Sequence, residues 1–344
     1  MSTTTTGGAR QSAAQAELSR RSHTPAQRIQ HALHKNPWLS PLVLLVLTIV
    51  IFSIVNPRFL QANSLSLLVQ QTAVVAALAL GQTLIILTAG IDLSAGAIGV
   101  LSMMIMASLA AKNGLPGPLA LVIGIAFGLL AGYINGLLVT RLNLPPFIVT
   151  LGTFGMTFGF GDLIDGGSYL PAPVPTALSD HFGSGKILGL YAPIYVAVFF
   201  LIVAHVVLHH TRFGRYTAAI GSNAEGTRRT GIAVDRHIIK VYGLAGFLAG
   251  VAAVLDLAIF TNTTSISHQT DNLGAIGAVV IGGTSLFGGV GTVLGSAVGA
   301  FIPTVLQNGL VIEAVQPFWQ EVVVGAAIIL AVYVDQVRRR RASG

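Results

Sequence analysis

The sequence predicts an all-α, polytopic membrane protein of about ten transmembrane helices, some of them discontinuous, with an internal repeat. Three observations predict it. Hydrophobic residues make up 53% of the 344 and charged residues 9%, against about 25% charged in ordinary soluble domains. A soluble fold of this length has no interior large enough to hide that apolar surface. Apolar stretches of near-spanning length recur along the chain. When they are laid across a bilayer, all but Arg58, Lys112 and Lys186 of the nineteen Lys and Arg fall on one side. This positive-inside bias makes the protein a multi-pass component of the inner (plasma) membrane with both termini in the cytoplasm.

Residues 1–37 are polar, basic and rich in Ser, Thr, Ala and Gln. They have no apolar core of a signal peptide and read as a disordered cytoplasmic tail. A crossing helix needs about 20 apolar residues. The membrane domain, 38–336, offers candidates at 38–55, 64–88, 93–111, 118–139, 146–164, 192–210, 238–260, 274–287, 290–308 and 318–336. The eighth and ninth are short enough to be half-helices. Asn56-Pro57, Asn113-Gly114 and Pro145-Pro146 punctuate the loops. Two loops are long, a Pro, Gly and Ser-rich one outside at 166–191 and a charged one inside at 211–237. The chain closes on a basic cytoplasmic tail, 337–344.

Composition excludes several classes. With no cysteine there is no disulfide, thiol catalysis or Cys-based metal site, and the nine His show no metal-ligand spacing. The net charge of +7 is carried by short basic clusters between apolar runs, without interleaved aromatics. That pattern serves topology and anionic lipid headgroups and implies no nucleic acid. The nearest approach to a phosphate loop, Gly183-Ser184-Gly185-Lys186, has Asp180 where the first glycine belongs and Ile187 in place of Ser or Thr.

Residues 89–96 read AGIDLSAG and residues 282–289 read GGTSLFGG, each between apolar helices. Paired interruptions in two halves point to the midplane site of a transporter built from repeats, in parallel or inverted arrangement. Asp92 and Ser285 are expected at equivalent N-cap positions, accepting from the first free N–H groups of the following helix. An ionised Asp at mid-depth costs about 2.5–3.5 kcal/mol, so Asp92 must be capped, hydrated or neutral. Both residues are read either as plain helix-start devices or as caps that also border a solute path. Ser94, Gln82, Thr83, Asn135, Thr150, Thr153 and Asn308 are uncharged hydrogen-bonding groups at membrane depth. They suit a polyhydroxylated solute or serve as glue between helices. Asp162, Asp165, Asp256 and Glu321 are expected near outer helix ends, within reach of water.

On the inside loop, Asn223 is expected to cap a short helix with Glu225 in its first turn, Arg228 and Arg229 near its last, and Gly231 as its stop. Such a compact charged helix either docks into another protein or lies on the surface as an ordinary amphipathic turn.

The ordered set GIDLSAG (90–96), Asn135-Gly136, PPFIVTLGTF (145–154), TRFGRYTAAIGSNAEGTRRTGIAV (211–234), AVVIGGTSLFGG (278–289) and QNGL (307–310) resembles bacterial ribose/xylose-type sugar ABC importer permeases, of the branched-chain amino acid/ribose permease superfamily. The likeness runs from about residue 40 to the C-terminus. It implies a non-catalytic permease subunit that forms a homodimer with a second copy of itself. An extracytoplasmic sugar-binding protein would deliver the cargo, and a cytoplasmic ATP-binding cassette ATPase would hold ATP and Mg, leaving this chain no cofactor. It also implies that the Asn223 helix is the coupling helix seated in that ATPase. Two departures stand out. Ser222-Asn223-Ala224-Glu225-Gly226 replaces the family's Gly-Asn-Glu-Ala-Ala, and Asn272-Leu273-Gly274-Ala275-Ile276 replaces Glu-Leu-Asp-Ala-Ile. The alternatives are an ABC permease for an amino acid, autoinducer or nucleoside, a secondary transporter coupled to protons through Asp92, and a non-transporting scaffold.

Overall fold

A computed structural model of the chain describes residues 39–166, 170–171, 183, 185–260, 262–263 and 271–343. The expected tail at 1–37 and most of the 166–191 loop lie outside the described residues. Twelve α-helices are present among the described residues: α1 (Leu39–Val55), α2 (Ala62–Leu87), α3 (Ala95–Ala111), α4 (Gly117–Arg141), α5 (Pro146–Asp165), α6 (Ala192–His210), α7 (Arg212–Ser222), α8 (Ala224–Arg229), α9 (Val234–Ile259), α10 (Asp271–Ile281), α11 (Val293–Ile312) and α12 (Pro317–Ser343). A single 3-10 turn at Pro57–Leu60 and two antiparallel pairings of two-residue strands accompany them, β1 (Leu170–Pro171) with β4 (Asn262–Thr263) and β2 (Lys186–Ile187) with β3 (Leu190–Tyr191).

Prolines set several helix starts. α4, α5 and α6 each carry one in the first two positions, where the missing N–H is not needed and φ is already helical. α5 stops at Gly166, whose φ of 59° only glycine adopts without strain. Six helices (α2, α4, α5, α6, α9 and α11) are long and apolar enough to cross a membrane. The apolar parts of α1, α3, α10 and α12 are shorter. α2 and α9 are the most buried of the long six, and α6 and α5 the least. Val198, Phe199, Ile202 and Val206 of α6 and Ile148, Leu151, Met156 and Phe160 of α5 face outward. Exposed apolar surface of that extent is what a lipid-facing helix presents.

The most extensively packed helix pair is α4 with α9, and glycines set the distance. Gly128, Gly132 and Gly136 recur every fourth residue on α4. A Cβ on Gly128 would stand 2.5 Å from the Gly246 carbonyl, on Gly132 2.2 Å from that of Tyr242, and on Gly136 2.8 Å from the Ile239 Cα. The backbones therefore touch, the small-residue packing that replaces hydrophobic driving force within a bilayer.

Several boundaries differ from those expected. The eighth and ninth stretches do not run to 287 and from 290: α10 ends at Ile281 and α11 begins at Val293. Between them Gly283, Gly288 and Gly289 have φ of 90°, 82° and 76°, a left-handed backbone that unwinds the helix despite the apolar Leu286 and Phe287. α10 is short as expected, but α11, with 20 residues, is a full-length helix rather than a half. At the far end α12 continues through Arg338–Arg341 to Ser343, because nothing between Asp335 and Ala342 breaks a helix.

Candidate functional site

The interruption between α2 and α3 is an Asx turn. Asp92, 3% exposed, points Oδ1 at Ser94, accepting from its backbone N at 2.7 Å and its Oγ at 2.6 Å. The acid therefore sits two residues ahead of the helix N-cap, Ser94, whose own side chain makes no capping bond. From Ser94 a directional chain leads outward. Asn135 Nδ2 of α4 donates to Ser94 Oγ at 2.9 Å, and Thr153 Oγ1 of α5 donates to Asn135 Oδ1 at 2.5 Å. Thr150 Oγ1 lies 3.3 Å from the Ile91 carbonyl and 3.0 Å from that of Pro146, with one proton to offer. Five predicted residues, Asp92, Ser94, Asn135, Thr150 and Thr153, are thus brought into one buried cluster that ties α4 and α5 to the turn.

Two more residues complete it: Gln82, named from the sequence among the uncharged hydrogen-bonding groups, and Asn272, noted there only within a departure from the family pattern. Asn272, in the first turn of α10, donates from Nδ2 to the Leu93 carbonyl at 2.7 Å, and its Oδ1 accepts from Gly96 N at 3.2 Å and Gln82 Nε2 at 3.1 Å. Gln82 Nε2 also reaches the Asp92 carbonyl at 2.8 Å. Gly96 is required here: a Cβ would stand 2.6 Å from that of Asn272. An amide gives and accepts in the same place, which an ionised carboxylate does not.

Ser285 and Asn308 lie elsewhere. Ser285 closes a tight turn within the second break, its N donating to Val290 O at 2.8 Å and its Oγ accepting from Phe287 N at 3.3 Å. It does not cap α11. Thr292 does, its Oγ1 accepting from Gly295 N at 3.1 Å. The two breaks match in residue pattern but the second loop is longer, so a residue aligned by pattern falls far short of the helix start. Asn308 Nδ2 donates to Gln71 Oε1 of α2 at 2.5 Å, about 16 Å along α2 from Gln82 at 1.5 Å rise per residue. Asp256 lies in the last turn of α9, near a helix end as expected, but its side chain is buried rather than open to water. It is 4% exposed and lines a small cavity with Gln71, Phe260, Asp271, Thr304 and Gln307.

α8 follows α7 with a single residue between them. Asn223 Oδ1 accepts from Gly226 N at 2.7 Å, and Gly231, at φ 87°, turns the chain away. Glu225 lies 3.2 Å from Arg229 Nε and 3.7 Å from Arg228, and Arg228 pairs with Asp235 of α9 at 2.7 Å. Each of these side chains is more than half exposed, so each pair contributes at most about 1 kcal/mol. A six-residue helix does not stand on its own. The cap and the seat of α7 hold it, the latter through Thr217 Oγ1 and His237 Nε2 of α9, 2.8 Å apart. Asn223→Ala is expected to cost about 1 kcal/mol of local stability. Hydrogen exchange should rise at Gly226 and Thr227 while the rest of the bundle stays protected.

Among the described residues no group of three or more His, Asp or Glu is placed to hold a metal ion.

The model of the family described as branched-chain amino acid transport system / permease component matches residues 64–332. The chain is 37% identical over 328 residues to the fructose import permease protein FrcC of Rhizobium meliloti, covering 93% of this chain and 91% of that one. It is 36% identical over 304 residues to the ribose import permease protein RbsC of Escherichia coli (strain K12), covering 87% and 93%. Against the galactose/methyl galactoside import permease protein MglC of Haemophilus influenzae the identity is 34% over 313 residues, covering 86% and 93%. No solved structure matches the chain.

Proposed function

The chain belongs to the branched-chain amino acid transport system / permease component family, and on that premise we propose that it is the membrane-spanning subunit of an ATP-driven importer of a monosaccharide, a pentose or hexose such as ribose, xylose or fructose. The observation that carries this reading is that permeases named for importing fructose, ribose and galactose each align with 86% or more of this chain. In this reading α1, α3, α10 and α12 join the six long helices to make ten crossings of the inner membrane. The basic clusters and both termini face the cytoplasm.

Two copies enclose the path. The buried cluster of Asp92, Ser94, Asn135, Thr150 and Thr153, with Ser285 in the second break and Asn308 further out, borders it by offering alternating donors and acceptors to sugar hydroxyls. α8, with Asn223, Glu225, Arg228, Arg229 and Gly231, seats in a cytoplasmic ATPase chain that holds ATP and Mg. An extracytoplasmic binding protein selects the sugar. The permease itself catalyses no reaction and holds no cofactor; binding of ATP in the partner switches the path between outward and inward access.

The test is to purify the chain in mild detergent, identify what accompanies it, and reconstitute the assembly in proteoliposomes with radiolabelled D-fructose, D-ribose and D-galactose. Uptake that needs ATP inside and the binding protein outside is expected. Uptake driven by a pH gradient without the ATPase would overturn the reading in favour of a proton-coupled carrier.

A further inference from the structure

Three backbone segments far apart in sequence meet at one point. Gly289 N in the second break donates to the Leu87 carbonyl at the end of α2, at 3.0 Å. Gly221, in the last turn of α7, lies against both: a Cβ there would stand 1.8 Å from Leu87 O and 2.6 Å from Gly289 N. A Cβ on Gly288 would meet Ala89 N at 2.8 Å and Gly221 O at 2.9 Å, and one on Gly289 would meet Ser222 Oγ at 2.2 Å. The backbone is left-handed at Ala89, Gly288 and Gly289. The end of α7 is therefore wedged between the first interruption and the second, with only the Ala89 methyl and the Ser222 hydroxymethyl group beside the three runs of backbone. Asn223, which caps α8, comes directly after Ser222.

We propose that this contact is a transmission seam, with Gly221 a positioning residue for transport: displacement of α8 is passed through Gly221 and Ser222 to Leu87–Gly90 and Leu286–Val290 together. The proposal rests on the importer reading, in which α8 is the part that the ATPase moves. Packed backbone is a stiff coupler, because it leaves no rotamers to absorb a shift and because a break, unlike a helix interior, changes shape at few hydrogen bonds. One moving part thereby drives both interruptions in step. Asp92 and its cluster lie three residues beyond Ala89, and Thr292, which caps α11, lies three beyond Gly289.

The chain has no native cysteine, so Ile91→Cys, at a position 41% exposed in the first break, reports alone. In vesicles carrying the chain with its co-purified ATPase, ATP with vanadate is expected to change maleimide labelling of Ile91→Cys by about threefold or more. With Gly221→Ala added, the ATPase should still co-purify and hydrolyse ATP within about twofold of the parent rate, while the labelling response falls below about 1.5-fold. Should Gly221→Ala prevent folding, hydrogen exchange in the unsubstituted complex gives the second reading: ATP with vanadate is expected to change exchange by about threefold or more in the peptides carrying residues 87–90 and 286–290 together. A full labelling response in Gly221→Ala overturns the proposal. So does an exchange change in one of those two segments without the other, or a parent complex in which residue 91 ignores ATP. A chain that retains no ATPase at all overturns the importer reading instead, an outcome visible at purification.

Discussion

Gly246→Val is expected to leave little folded protein in a detergent extract, a loss of about 3 kcal/mol or more, because three carbons have nowhere to go. A Cβ at Gly246 would stand 2.1 Å from the Gly128 carbonyl and 2.9 Å from the Gly132 Cα, and both obstacles are backbone of α4. α4 and α9 would have to part along their whole contact. The measurement is size-exclusion profile and thermal midpoint of a fluorescently tagged chain. Gly152→Val, on α5 where an added Cβ meets nothing within 4 Å, is the matched control and should behave as the parent does. A Gly246→Val chain that melts with the parent would refute the backbone contact between α4 and α9.

Asp92→Ala is expected to reduce transport about tenfold or more, and Asp92→Asn to stay within about threefold of the parent. Alanine removes the acceptor for Ser94 N and Ser94 Oγ, and with it the end point of the chain from Thr153 through Asn135. Leaving buried donors unmet costs about 1–3 kcal/mol for each. Asparagine keeps an Oδ1 in the same place, so the turn and the cluster survive without the charge. The pair of variants also separates two mechanisms: a carrier that moves protons on Asp92 loses function in Asn as fully as in Ala. ATP-dependent uptake with equal activity in Asp92→Ala and parent would remove the cluster from the path.

The helix ends were legible in the sequence wherever a breaker coincided with a change of hydropathy, as at Pro146, Gly166 and Pro193. They were not legible in 282–292, where apolar Leu286 and Phe287 carry a helical appearance across glycines that the structure unwinds. Asp92, Ser94, Asn135, Thr150 and Thr153 could be named in advance because each is polar at a depth where polarity is costly. Their mutual hydrogen bonds could not, since Asn135 and Ser94 are 41 residues apart and no local pattern links them. Asn272 was visible only as a departure from Glu. Its partner Gln82 lies 190 residues away, and only the packing of α10 against α2 shows that an amide there serves three neighbours at once. Thr292 gave no signal because the residue three places on is Gly295 rather than the Glu or Gln of a capping box. Pattern matching assigned the cap to Ser285, which the longer second loop holds away from α11.

The glycine-lined pairing of α4 and α9 bears on which parts of this protein are free to swing. Side chains that interdigitate have alternative seatings one ridge along; two bare helices pressed together have only the one. The pair is thus a mast, and the turns of helix that flank it are the rigging. A working cycle that pivots about the mast keeps its geometry, and one that pries the mast apart ends in an unfolded chain.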